Sequence, residues 1–168
     1  MLYETTMDSP VGTLTLVASD AGLRAVLWHI EVANRVRIGP VVGGPVDPAG
    51  SLACAVDQFG EYFAGTRTRF DLALDPVGTD FQQAAWVALR SIEFGETISY
   101  GEQARRMGDA RKARAVGAAN GRNPLSIVVP CHRVVGANGS LTGFAGGLDT
   151  KAWLLDHELR VGRATTYP

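Results

Sequence analysis

Residues 99–121, SYGEQARRMGDARKARAVGAANG, determine how the second half of the chain folds. Ser99 is a favourable N-cap for a helix over Tyr100–Met107, which Gly follows directly. After a tight connection, a second helix is predicted over Arg111–Asn120, again with Gly just past its end. Two short helices joined by a few residues that include Gly predict a helix-turn-helix, an arrangement common in DNA-binding proteins.

The second of these helices consists almost entirely of small residues, with Arg114 projecting among Ala115, Gly117 and Ala118. Gly117 costs up to about 1 kcal/mol of helix stability relative to Ala, so a compensating role is expected. One role is close packing against another helix. The other is close approach to the DNA minor groove, which at about 6 Å is too narrow for a bulky helix. Because that groove offers a degenerate code, binding through it would show little sequence preference.

The pattern outside these helices predicts an α+β protein with a boundary at Pro76-Val77-Gly78, giving domains 1–77 and 78–168. Alternating or apolar runs bounded by turn residues predict strands at Leu2–Thr6, Thr13–Ala18, Arg24–Trp28, Arg69–Leu74 and Leu125–Val129. Apolar residues at three-to-four spacing predict helices at Ala49–Gly65, Phe81–Ser91 and Thr150–Leu159. Residues 31–47 and 136–147 read as loops.

The composition, 46% hydrophobic and 20% charged over 168 residues, is that of a globular protein with a real core. The chain shows neither a transmembrane stretch nor a secretory signal, so we expect no membrane partner. Its two cysteines, Cys54 and Cys131, are too few for a disulfide framework. Free thiols point to a reducing, cytoplasmic location. Cys54, in an amphipathic helical pattern, is interpreted as a small packing residue.

The net charge of -1 conceals an uneven distribution. Residues 1–80 carry 5 basic and 10 acidic side chains, whereas residues 101–133 carry 7 basic and 2 acidic ones. This asymmetry favours a phosphate-binding face in the second half of the chain, although a solvated helical surface is the alternative. The basic residues of the second segment are Arg105, Arg106, Arg111, Lys112, Arg114, Arg122 and Arg133.

Cys131 and His132 follow a predicted strand, whose end would expose them both. A cysteine reacts as its thiolate and therefore needs a base or a positive field nearby. Because neighbouring side chains on a strand point to opposite faces, the chain must turn here or a water must connect the two. Glu158 lies on the core side of the last predicted helix, where a carboxylate needs a partner such as histidine. The sequence suggests a relay in which Glu158 orients His132 and His132 accepts the thiol proton; a merely structural Cys-His pair is the alternative.

These residues belong to an ordered series of motifs that resembles the O6-alkylguanine-DNA alkyltransferases, also called methylated-DNA–protein-cysteine methyltransferases. The resemblance covers the C-terminal half in order, and the N-terminal half more loosely. The motifs are Pro130–Val134, Gly78–Gln82, Ser99–Glu102, Ala113–Gly117, Asn120–Pro124, Trp153–Glu158 and, in the N-terminal half, Ser9–Gly12.

The resemblance implies an RNase H-like N-terminal domain and direct-reversal DNA repair. An alkyl group, chiefly methyl, would pass irreversibly from the O6 atom of guanine, or the O4 atom of thymine, to Cys131. Each molecule would act once, without a dissociable cofactor. The partner would be double-stranded DNA, bound through the minor groove by a protein that is a monomer when free; cooperative binding on DNA stays open. Some members hold zinc in the N-terminal domain, but only His29 and Cys54 would be available here, so we expect no metal.

The resemblance also implies roles for individual residues. His132 would activate Cys131 through a water, with Glu158 behind it, while Asn123 braces the turn before the cysteine through backbone hydrogen bonds. Arg114 would enter the base stack where the nucleotide has flipped out, and Tyr100 would crowd its 3′ phosphate. Further DNA contacts are expected from Arg111, Lys112, Ala115, Gly117 and Ala118. The substrate pocket is expected to involve Val134, Phe144, Ser126 and Ala145.

Two positions depart from the family pattern. Phe144 stands where the family usually has a tyrosine, so a hydroxyl donor near the base is missing. The connection between the paired helices lacks the usual proline and carries Arg111 and Lys112 instead. We expect these cations to add phosphate contacts and to steepen the salt dependence of DNA binding.

Three alternatives remain at this stage. A lesion-binding relative that cannot transfer would lack the acceptor cysteine, which Cys131 supplies here. A cysteine hydrolase with a Cys-His-Glu triad would need an oxyanion hole and would turn over. A helix-turn-helix regulator would need side chains that read base edges instead of Ala and Gly.

Overall fold

A computed structural model describes residues 1–166 and divides the chain into two compact units. The N-terminal unit comprises Met1–Val77 together with Pro124–Val128, and the C-terminal unit comprises Gly78–Asn123 and the chain from Val129 onward. A three-stranded antiparallel sheet in the first unit and helices in the second confirm the α+β class. No helix in the described part of the chain has the length and apolar character needed to cross a membrane.

The N-terminal sheet consists of β1 (Leu2–Met7), β2 (Leu14–Ser19) and β3 (Gly22–Leu27), adjacent in chain order. All three strands were predicted, with bounds within two residues. The turn between β1 and β2 is closed by a hydrogen bond from the Gly12 backbone N–H to the Ser9 carbonyl, 3.1 Å. Gly12 has a φ of 100°, which favours glycine there.

Helix α1 (Ser51–Ala64) lies within the predicted bounds and ends at Gly65, whose φ of 80° gives the expected left-handed cap. The Asp47 carboxylate accepts the backbone N–H groups of Ser51 and Leu52 at 2.9 and 2.8 Å and so caps the helix start. The buried face is Leu52, Ala55, Gln58, Phe59 and Tyr62. Cys54 lies off that face and is exposed, so its interpretation as a packing residue was wrong.

The predicted strand at Arg69–Leu74 does not form; only Leu74 makes a bridge, with Leu23. The reason is a side chain on α1. The Gln58 amide donates to the Asp71 carbonyl at 2.9 Å and accepts from the Asp71 backbone N–H at 2.8 Å. A glutamine thus occupies the backbone groups that a neighbouring strand would use.

The predicted strand at Leu125–Val129 is also wrong, since only Leu125 makes a bridge, with Val26 of β3. Ile127 has a φ of 75°, which a regular strand cannot accommodate and which a β-branched residue rarely adopts. The segment therefore bends two residues after its single bridge instead of continuing as a strand.

The C-terminal unit is mainly helical, as predicted. Helix α2 starts at a capping box in which Thr79 accepts the Gln82 backbone N–H and the Gln82 side chain accepts the Thr79 N–H. A two-stranded parallel sheet, β4 with β5, was not predicted. The elements are α2 (Asp80–Leu89), β4 (Ile98–Ser99), α3 (Tyr100–Arg106), a 3-10 helix (Ala110–Lys112), α4 (Ala113–Gly121), a second 3-10 helix (Cys131–Arg133), β5 (Val134–Val135) and α5 (Leu148–Thr166).

Helices α3 and α4 form the helix-turn-helix, and a buried pair of amides joins them. Gln103 Nε2 donates to Asn120 Oδ1 at 2.9 Å, and Asn120 Nδ2 donates to Gln103 Oε1 at 2.7 Å. Trp86 Nε1 of α2 donates to the Ala119 carbonyl near the end of α4, at 2.9 Å. These buried hydrogen bonds fix the position of α4, and hence of its exposed face.

Candidate functional site

Cys131 lies in the 3-10 helix Cys131–Arg133, so the chain turns here, one of the two arrangements that the sequence left open. The exposure expected for both residues was wrong, because Cys131 is 9% exposed and His132 is fully buried. Asn123, also fully buried, donates from Nδ2 to the Val129 carbonyl at 2.8 Å, two residues before the cysteine. The amide thus has the backbone contact expected of a brace.

His132 and Glu158 are in direct contact inside the C-terminal unit. The His132 Nε2 atom lies 2.7 Å from Glu158 Oε2, and both side chains are buried. Glu158 Oε1 also accepts the backbone N–H of Gly95 at 3.2 Å. The inward orientation of Glu158, inferred from helical spacing, and its pairing with histidine, inferred from the cost of a buried carboxylate, are therefore present in the structure.

The protonation of this pair follows from its surroundings. Burial lowers the pKa of His132, and the neighbouring Glu158 offsets this only in part. Burial alone would raise the pKa of Glu158, but His132 and Arg133 outweigh it and hold this pKa far below its usual range. An ionised Glu158 and a neutral His132 place the imidazole proton on Nε2, where it is donated to the carboxylate. The buried Nδ1 atom, without a hydrogen-bond partner among the described residues, is then free to accept a proton.

Sequence reasoning did not identify Arg133 and Lys151 as parts of this site. Arg133 was counted in a surface basic patch, but it is buried and contacts Glu158. The fully buried Lys151 is close enough to Cys131 for the thiolate to raise its pKa, although burial lowers that pKa more. The signal for Lys151 was available: it lies three residues before the buried Leu154 on the core side of α5, by the same spacing that identified Glu158.

A second cluster joins the loop after β5 to α3 and α5. The Lys151 ammonium donates to the Thr142 carbonyl at 2.9 Å. The Tyr100 hydroxyl lies 3.4 Å from the same carbonyl and accepts the Thr142 hydroxyl at 3.2 Å. The half-buried residues Phe144 and Ala145 belong to this loop. The loop is thus attached to Tyr100 and Lys151 at Thr142, two residues before Phe144.

The exposed residues of α4 are Arg114, Ala115, Ala118 and, at its end, Gly121, while Val116 and Ala119 are buried. Arg114 makes no hydrogen bond or ion pair with any residue that the structure describes. Gly117 lies beside Tyr100, and a Cβ atom added to it would meet the ring at 3.6 Å, an ordinary contact. Close helix packing therefore does not require glycine there.

The basic patch is smaller than the sequence count suggested. Glu102 pairs with both Arg105 and Arg106, whose guanidinium groups lower its pKa to about 2. Arg111 is 91% exposed but paired with Asp109 at 3.0 Å. The exposed cations at the start of α4 are Arg111, Lys112 and Arg114, whereas Arg133 is buried elsewhere. The Lys112 ammonium lies 5.8 Å from the centre of the Phe81 ring.

The remaining predicted pocket residues differ in position. Val134 is fully buried in β5, paired with Ile98 of β4. Ser126 belongs to the segment that lies in the N-terminal unit, where its buried hydroxyl has no hydrogen-bond partner among the described residues. Within the same described part of the chain, no three His, Cys, Asp or Glu side chains lie together as a metal site would require.

Comparisons with known proteins place this geometry in a family. Residues 80–160 match the model of the 6-O-methylguanine DNA methyltransferase DNA-binding domain, and residues 2–76 match the ribonuclease-like domain of the same family. The methylated-DNA–protein-cysteine methyltransferase of Mycobacterium bovis is 49% identical over 94% of this chain and 93% of its own. The corresponding protein of Methanosarcina acetivorans is 43% identical, covering 94% and 98%.

Solved structures agree. The crystal structure of Mycobacterium tuberculosis OGT in complex with DNA superposes with a TM-score of 0.83, at 46% identity over 95% of this chain and 94% of that one. An O6-methylguanine DNA methyltransferase from Methanococcus jannaschii gives a TM-score of 0.64 at 30% identity over 92% and 93%. These matches, together with a helix-turn-helix and a buried cysteine in the same C-terminal unit, define a DNA-repair methyltransferase with a protein cysteine as acceptor. The chain belongs to the 6-O-methylguanine DNA methyltransferase family.

Proposed function

We propose that this protein repairs DNA by taking the alkyl group from O6-alkylguanine, chiefly O6-methylguanine, and also from O4-methylthymine, onto Cys131. The observation that carries the proposal is the buried His132–Glu158 pair, 2.7 Å apart, directly beside that cysteine. It leaves one imidazole nitrogen, Nδ1, able to accept the thiol proton. A structural Cys-His pair has no need for a buried carboxylate that fixes the imidazole tautomer.

The transfer step exchanges one proton for one alkyl group. The Cys131 thiol gives its proton through a bridging water to His132 Nδ1, and the resulting thiolate attacks the methyl carbon. The S–C bond forms as the O6–C bond breaks, and guanine leaves as an anion. The proton on His132 returns to the leaving base, so the products are guanine and a methylated cysteine. Because a thioether is not cleaved under these conditions, each molecule acts once.

The DNA would be bound along the exposed face of α4. Ala115 and Ala118 give this face little depth, which suits the narrow minor groove and predicts little sequence preference. Arg114, which has no partner among the described residues, would enter the stack in place of the flipped nucleotide. Tyr100 would crowd the 3′ phosphate. Lys112 and Arg111 would contact phosphates.

The flipped base would rest against the loop after β5, where Phe144 supplies a stacking surface and Ala145 lies next to it. Val134 would bound the rest of the pocket, while Asn123 braces the turn that presents Cys131. We further propose that the free protein is a monomer working in a reducing, cytoplasmic compartment. Its two free cysteines support that compartment.

The chain offers a matched pair of thiols for the test. Wild type, Cys131→Ala and Cys54→Ala are incubated with duplexes carrying O6-methylguanine or O4-methylthymine, and intact mass and peptide masses are recorded. We expect wild type and Cys54→Ala to gain one methyl on the Cys131 peptide and to stop at one equivalent. No gain in wild type, or the same gain in Cys131→Ala, would contradict the proposal. Turnover beyond one equivalent would favour a cysteine hydrolase instead.

A further inference from the structure

Arg133 is immobilised in the core next to the relay by contacts at all three of its nitrogens. Its Nε and Nη2 atoms donate to Glu158 Oε1 and Oε2 at 2.8 and 3.0 Å, and Nη1 donates to the Ile92 carbonyl at 2.7 Å. The guanidinium carbon also lies 5.7 Å from the centre of the Phe94 ring. A side chain that is 7% exposed and held in this way has no freedom to serve as a surface cation.

These contacts fix the Glu158 carboxylate in orientation. Oε1 accepts from Arg133 and from the Gly95 backbone N–H, and Oε2 accepts from Arg133 and from His132. The last torsion of a glutamate is otherwise broad, so a carboxylate bound only by histidine could rotate. With Arg133 spanning both oxygens, Oε2 stays aligned with the imidazole.

The charge of the buried Glu158 also assigns a role to Arg133. A buried carboxylate needs a compensating positive charge, and Arg133 provides it. If Arg133 were absent, His132 could supply the charge only by taking up a proton, and an imidazolium cannot accept the proton of a thiol. The other charged groups that shift the pKa of His132 are Glu158 and Lys151, both on α5; Cys131 precedes it in the chain.

We propose that Arg133 is a positioning residue of the relay: it neutralises Glu158 and fixes its carboxylate, and so keeps His132 in the neutral form that accepts the proton of Cys131. This inference rests on the proposed function of Cys131 as acceptor. Its consequence is a pH effect of defined sign. Removal of a buried positive charge makes both His132 and Cys131 easier to protonate, so the loss of cysteine reactivity on acidification should move to higher pH.

The test measures the reactivity of Cys131 without DNA. In a Cys54→Ala background, Cys131 is the only thiol, and its rate of alkylation by iodoacetamide is followed from acidic to neutral pH. We expect Arg133→Met to raise the midpoint of the acidic limb by about one pH unit or more, the effect of one close charge. Arg133→Lys should return the midpoint toward that of the background protein. Leu154→Ala, a cavity in the same core on α5, should lower stability and leave the midpoint in place.

A variant that removes both charges serves as a control, because Arg133→Met alone leaves an unpaired buried carboxylate that could impair folding. Arg133→Met combined with Glu158→Gln should have a midpoint below that of Arg133→Met alone. The inference is overturned if Arg133→Met slows alkylation without moving the midpoint, or if Arg133→Lys moves it as far as Arg133→Met does. Failure of the proposed function would appear elsewhere, as a wild-type protein that takes no methyl from modified DNA, whatever the iodoacetamide profiles show.

Discussion

Asp109→Asn is expected to increase the affinity of this protein for DNA and to make binding more sensitive to salt. Arg111 is 91% exposed, yet its guanidinium Nε and Nη2 atoms lie 3.0 and 3.2 Å from the Asp109 carboxylate oxygens. A phosphate must compete with that carboxylate, whose pKa is lowered by the hydrogen bonds from Arg111. Asn retains the side-chain oxygen that accepts the Arg111 backbone N–H, so the substitution removes the charge and keeps the cap.

The magnitude follows from counterion release. One additional phosphate contact steepens the slope of log K against log salt by about 0.9, so the gain in affinity shrinks about 3-fold between 50 and 200 mM salt. The assay is fluorescence anisotropy of a labelled undamaged duplex over a salt series. In an Arg111→Ala background, Asp109→Asn frees no guanidinium group for a phosphate, so the slope should change little. The reasoning is refuted if Asp109→Asn has the same slope as the wild-type protein. It is also refuted if the double variant Arg111→Ala with Lys112→Ala has the wild-type slope.

Three further results are expected. Ala118→Leu should weaken DNA binding at least about 10-fold with little effect on unfolding, since Leu is almost as good a helix former as Ala; Ala53→Leu on α1 is the control, and equal affinities would exclude α4 from the groove. Because burial lowers the pKa of His132, the acidic decline of the single-turnover transfer rate should have its midpoint below pH 6.5, the ordinary pKa of a histidine; a midpoint above 6.5 would show that the imidazole is protonated too readily. Phe144→Tyr should speed transfer about 2- to 10-fold by adding one hydrogen bond worth about 0.5–1.5 kcal/mol. An unchanged rate in quenched-flow measurements would show that a hydroxyl at this position does not assist the transfer.

Features set by local periodicity were predictable from the sequence. The helix-turn-helix followed from two short helices with recognisable ends on either side of Gly108, whose φ of 105° is a conformation that glycine adopts readily. The inward orientation of Glu158 followed from its spacing to Leu154, which is fully buried. In both cases the neighbours that decide the outcome lie within one or two helical turns.

Features set by distant side chains were not predictable in this way. Residues 69–74 have the alternation of a strand, but the backbone of Asp71 is held by Gln58, 13 residues earlier. Nothing within the segment itself indicates that partner. The break at Ile127 is similar, because a positive φ at a β-branched residue contradicts local preference and must be imposed by the surrounding structure.

The burial of Arg133 was missed for a different reason, because charge counting does not distinguish buried from exposed side chains. Counting charges along the sequence treats every cation as if it lay on the surface, but Arg133 and Lys151 are both buried. Buried ion pairs are seldom better for stability than apolar residues of the same size, so stability alone does not explain two cations and a carboxylate in this core. With His132 neutral, Glu158 cancels one of the two cations and leaves an excess positive charge beside Cys131. A positive field favours the thiolate over the thiol, which is the property that an acceptor cysteine needs and a packing cysteine does not.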